Sequence, residues 1–116
     1  MFAFSQHKPS FSAADAVKLQ AAGEITLVDI REDGEVQSTG KARGAIHLPL
    51  ATLRQKADPA NSECHPDLAC GKPVVLYCAS GGRASMAAQL LGQMGYNNVH
   101  NIGGLTHWQM AGGEIE

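Results

Sequence analysis

The chain has 116 residues, 44% hydrophobic and 17% charged, which fits one globular domain with a real core and leaves no room for two. Its net charge of -2 and pI near 6.2 exclude an electrostatic case for nucleic acid or an anionic membrane, so any pull on an anionic substrate must be local. Three cysteines, an odd number without a Cys-x-x-Cys spacing, exclude a disulfide framework and point to reduced thiols. There is no basic start followed by an apolar run, and no stretch near the roughly 20 apolar residues that span a bilayer. The expected location is cytoplasmic.

Residues 1–11 read as a lead-in, with an edge strand as one option. Ser12 and Asp15 resemble a capping box that opens a helix over Ser12–Ala22, with Ala14, Val17, Leu19 and Ala21 as its apolar positions. Ile25–Ile30 is a β-branched apolar run and predicts a buried parallel strand. A short helix to Thr39 follows, and then a short strand at Ala45–Leu48 and one or two helical turns over Leu50–Lys56. Residues 57–73, punctuated by Pro59, Pro66, Gly71 and Pro73, predict a surface excursion.

Val74–Tyr77 is the clearest strand in the chain and runs straight into Cys78-Ala79-Ser80-Gly81-Gly82-Arg83. The next helix, Ala84–Met94, carries Met86, Leu90 and Met94 as a stripe expected to face the core. A strand over Val99–Ile102 is expected to be broken by Gly103-Gly104 before a last helical turn at Leu105–Ala111. Strands alternating with helices predict an α/β domain: a mostly parallel sheet of about five strands, covered on both faces.

Open α/β sheets place their sites beyond the carboxyl ends of the strands, where Cys78 stands. The small, Gly-rich loop after it lets backbone N–H groups turn inward, and the helix that starts near Arg83 adds its positive end. Donors, dipole and guanidinium all favour the thiolate and predict a lowered Cys78 pKa. His7, His47, His65, His100 and His107 make no ligand spacing, so no metal or other cofactor is expected. Trp108 reads as a packing residue. Cys64 and Cys70 read as spectators, with a Cys70–Cys78 disulfide as the alternative for Cys70.

Four blocks in order resemble the rhodanese (thiosulfate sulfurtransferase) family: Leu27–Glu32, Gly40–Pro49, Tyr77–Ser85, and Ile102-Gly103-Gly104 followed by Trp108 and Gly112. The resemblance implies that Cys78 is a nucleophile that takes a sulfane sulfur from a donor such as thiosulfate and yields it to cyanide, a thiol or a protein. It implies that the backbone of Ala79, Ser80, Gly81, Gly82, Arg83, Ala84 and Ser85 holds the sulfur anion. It leaves Arg83 two roles, attracting the donor or bracing the loop through an acid such as Asp29. Asp29, Arg31 and Glu32 are expected to support the loops. Lys41 and Arg43 depart from the family's usual His and Pro. Two other readings remain: an interaction module without catalysis, and a small Cys-dependent phosphatase or arsenate reductase. The related phosphatases have one more residue between Cys and Arg than the four found here.

Overall fold

Uninterrupted apolar strands can persist only where both faces of a sheet are covered, and Thr26–Asp29 and Val74–Cys78, buried at every residue, are so placed. The structure, a computed structural model, describes residues 11–116. In chain order the elements are α1 (Ala13–Ala21), β1 (Thr26–Asp29), α2 (Asp33–Thr39), β2 (Ile46–His47) and α3 (Leu50–Ala57). They continue with β3 (Val74–Cys78), α4 (Gly82–Gln93), β4 (Val99–Gly104) and α5 (Leu105–Met110). The sheet order is β2-β1-β3-β4, with every pair parallel, so four strands stand among the described residues where about five were expected. The edge strand considered for the lead-in lies outside the described residues, apart from Phe11. No helix among them is long and apolar enough to cross a membrane.

Successive strand residues point to opposite faces, and this splits the core in two. Val74, Leu76 and Cys78 face α3 and α4, among Val28, Leu53, Ala84, Ala87 and Leu91. Val75 and Tyr77 face α1 and α5, among Ala16, Leu27, Leu105 and Trp108. The same alternation therefore aims the Cys78 sulfur toward the start of α4 and the Tyr77 ring away from it.

Several sequence expectations change. On α4 the buried stripe is Ala84, Ala87 and Leu91, whereas Met86 is 60% exposed and Leu90 and Met94 pack only at its margin. Small alanines let the helix lie close to β3, and the larger methionine is turned outward. On α1, Ala16 is the buried residue, and Ala14 and Ala21 are exposed. The expected Ser12–Asp15 capping box is present in both directions, at 3.0 and 3.1 Å. Gly103-Gly104 does not end β4: the strand runs through both residues after a register shift that pairs Cys78 with Gly104. Gly103 takes φ +97, and a Cβ on Gly104 would stand 2.0 Å from the Ala79 carbonyl oxygen, so glycine is what allows the strand to continue there.

Cys70 lies before β3 and Cys78 at its end. Cys70 Sγ lies 3.8 Å from Thr26 Oγ1, and Thr26 pairs with Val74 at the start of β3, four strand steps or about 13 Å from Cys78, against roughly 7 Å between Cα atoms for a disulfide, so the folded chain keeps Cys70 and Cys78 apart.

One buried polar cluster ties the carboxyl end of the sheet together. The Asp29 carboxylate, fully buried, accepts from Arg31 Nε at 3.0 Å and Nη2 at 2.8 Å, from the Arg31 amide at 2.9 Å, and from the Tyr77 hydroxyl at 2.5 Å. Tyr77 in turn accepts from the Ala42 amide at 2.9 Å. Burial and the carboxylate beside it push the Tyr77 hydroxyl well above its ordinary pKa, so it remains a donor. Arg31 also donates to Thr39 Oγ1 and to the Gly40 carbonyl, which anchors the end of α2. Asp29 and Arg31 thus tie the end of β1 to the end of α2. Replacing Tyr77 with Phe should cost about 1–3 kcal/mol, because it strands buried partners. Asp29→Asn should cost more, about 3–5 kcal/mol, because it leaves Arg31 buried and unpaired. Urea unfolding followed by far-UV circular dichroism measures both, and a smaller loss for Asp29→Asn than for Tyr77→Phe would contradict this ranking.

Candidate active site

β3 is buried along its whole length and delivers Cys78 to the carboxyl edge of the sheet, where the residue is only 1% exposed. The chain then turns through exposed Ala79 and Ser80 into α4. Gly81, at φ +112, makes the turn: its amide points back at the sulfur, and a Cβ there would meet the Gly103 backbone at 3.3 Å. The Cys78 Sγ accepts from the Gly81 amide at 3.0 Å and from the Ala84 amide at 3.4 Å.

Burial alone would raise the pKa of this thiol. The amides of Ala84, Gly81, Ser80 and Arg83 outweigh it, and the net shift is downward. The cradle is therefore built from main-chain dipoles, and it serves whatever anion the sulfur carries.

The predicted loop residues divide by what their amides do. Gly81 and Ala84 bond the sulfur, and Ser80 and Arg83 add to the lowering of its pKa. The Ser85 amide is committed to the Gly81 carbonyl at 2.9 Å, as part of the first turn of α4, and does not serve the sulfur. Gly82 is exposed at the start of α4. Ala79 contributes its carbonyl, which lies against Gly104.

The Arg83 side chain does not reach Asp29, which is occupied by Arg31. Its guanidinium instead forms two bonds to Glu35 of α2, Nη1 to Oε1 at 2.6 Å and Nη2 to Oε2 at 2.8 Å. Those bonds, with the Glu32 amide, hold the Glu35 carboxyl down at about 2, and the pair raises the Arg83 pKa in return. Glu32, expected to support the loops, does so by donating its amide to Glu35 Oε1 at 2.9 Å.

Two residues that hold the cysteine loop escaped the sequence reading. Glu35 is one. The other is Asn101 of β4, whose Nδ2 donates to the Gly81 carbonyl at 3.0 Å while its Oδ1 accepts from the Gly103 amide at 2.8 Å, so it clamps the turn that aims the cradle. Nothing in the local sequence marks either residue, because both act across gaps of 20 or more positions. Beside the loop a cleft of about 520 Å³ opens between α2 and α5, lined by Glu35, Ser38, Thr39, Ala79, Thr106 and Gln109 among others.

Comparison with known proteins agrees with this architecture. The family described as "Rhodanese-like domain" matches residues 12–111. The chain is 33% identical over 98 residues to a sulfurtransferase of Allochromatium vinosum, covering 82% of this chain and 81% of the relative. It is 29% identical over 99 residues to the thiosulfate sulfurtransferase GlpE of Coxiella burnetii, covering 84% of each. Among solved structures, the human single-domain sulfurtransferase TSTD1 superposes with a TM-score of 0.72 at 25% identity, covering 90% of this chain and 97% of the other. A Rhodopseudomonas palustris protein of unknown function, described as a possible tyrosine phosphatase, superposes with a TM-score of 0.82 at 32% identity, covering 97% and 87%. With the cysteine loop, the parallel sheet and these matches in agreement, the chain belongs to the rhodanese-like domain family.

Proposed function

We propose that the protein is a sulfurtransferase in which Cys78 carries the transferred sulfur. The observation that carries this reading is the Cys78 sulfur held by the Gly81 and Ala84 amides, a geometry that favours a sulfur anion without a metal or a base. The Cys78 thiolate attacks the outer sulfur of a donor such as thiosulfate. A Cys78–sulfur bond forms, the donor's sulfur–sulfur bond breaks, and sulfite leaves with the electron pair. An acceptor thiolate or cyanide then takes the outer sulfur and restores the Cys78 thiolate. Covalent capture splits one transfer into two easier steps, and the amides stabilise the anionic sulfur in each state.

A phosphatase reading draws on the description of the R. palustris protein. Two features weigh against it. Only four residues separate Cys78 from Arg83, and the guanidinium that a phosphate would need is already paired with Glu35. The cytoplasm, and a thiol or protein as acceptor, complete the proposed setting.

Incubation with excess thiosulfate should add one sulfur atom to the intact protein and none to Cys78→Ala, by mass spectrometry. A wild type that gains nothing, or steady aryl phosphate hydrolysis abolished by Cys78→Ser, would overturn the assignment. Because the thiol pKa is depressed, loading and iodoacetamide alkylation should be lost as pH falls through that value, with a half-maximum below the ordinary thiol value near 8.5. A half-maximum at or above 8.5 would contradict the cradle. Asn101→Ala should slow loading roughly tenfold, less than the ~10²–10³ for deleting an oxyanion donor outright, and should raise the alkylation midpoint. An unchanged midpoint in the folded variant would remove Asn101 from the site.

A further inference from the structure

The guanidinium groups of Arg31, which lines the cleft, and of Arg83, in the cysteine loop, are both already neutralised. Arg31 lines the cleft but is buried and bonded to Asp29, Thr39 and Gly40. Arg83 stands in the cysteine loop and spends both ends of its fork on Glu35, a two-bond pairing that fits carboxylate geometry. Glu35 is itself preset, since its Oε1 also accepts from the Glu32 amide at the start of α2. Glu35 also lines the cleft that reaches the loop at Ala79. The charged residues that line that cleft are the Glu35 carboxylate and an Arg31 already bonded to Asp29, so an inorganic dianion entering it finds no unpaired cation in its walls.

We propose that Glu35 is a specificity-determining residue, which masks Arg83 and biases the site against thiosulfate and toward organic persulfides, whose sulfane group carries less charge. This rests on the sulfur-carrying role given to Cys78 above. In the favoured reaction the Cys78 thiolate attacks the outer sulfur of neutral R–S–S–H. The new sulfur–sulfur bond forms on Cys78, the R–S–S bond breaks, R–S⁻ departs with the electron pair, and the proton stays on the transferred sulfur. Glu35 touches no reacting atom; it acts through the position of the Arg83 guanidinium.

The test is the ratio of Cys78 loading rates from thiosulfate and from glutathione persulfide, each followed by mass spectrometry in single turnover. A ratio cancels any common change in thiolate reactivity. In Glu35→Gln and Glu35→Ala the ratio should rise about tenfold, the effect of one unmasked charge-assisted contact. Thiosulfate loading should then fall more steeply with ionic strength than in the wild type. Adding Arg83→Gln to either variant should return the ratio to its wild-type value. A ratio that stays constant or falls in variants whose melting shows them folded overturns the proposal and leaves the sulfur-transfer reading standing. A wild type that loads from neither donor overturns both.

Discussion

A carboxylate taken fully out of water costs several kcal/mol unless its lone pairs are met by charge and hydrogen bonds. Asp29, at the end of β1, is in that position and is met by Arg31 and Tyr77. The solution fixes more than the charge. Arg31 reaches on to Thr39 and Gly40 and so sets where α2 ends. The placement of α2 sets Glu35, Glu35 sets the guanidinium of Arg83, and Arg83 belongs to the loop around Cys78. A requirement for electroneutrality in the core is thus transmitted, bond by bond, to the edge of the reactive site.

The site itself is mostly main chain. A buried thiol resists ionisation, and here a ring of amides at a strand-to-helix turn outweighs that resistance. Main-chain donors have no rotamers to lose, so the cradle is preorganised as long as the turn holds its shape. Three constraints hold it: the positive φ of Gly81, the Asn101 clamp on its carbonyl, and the close passage of the Ala79 carbonyl over Gly104.

Much of this is legible in the sequence. The Val74–Tyr77 run, the cysteine behind it and the glycines after it specify a buried strand, an exposed turn and a helix start whose amides face the sulfur from local information alone. What was not legible depends on distance along the chain. Asp29 is the acid named for the bracing role, one of the two that the resemblance leaves open to Arg83, but the buried arginine two residues away claims it. Glu35 looked like an ordinary residue of a charged helix. Gly103-Gly104 carries the usual signature of a strand break, yet it serves to let a neighbouring carbonyl pass. Met86 fits the period of a buried stripe equally well, and only the closeness of α4 to β3 selects the alanines instead.

Cys70 and Cys64 both sit at the amino end of the sheet, Cys64 close to the Tyr96 hydroxyl and to the end of α3. No other cysteine of the chain can therefore approach Cys78 in the folded state. Under the proposed sulfur-carrying role, a sulfur on Cys78 has no second cysteine of this chain to pass to, and its lifetime is set by encounters with other molecules. A domain with that role would act as a reservoir, emptied at a rate that follows the concentration of whatever comes to collect.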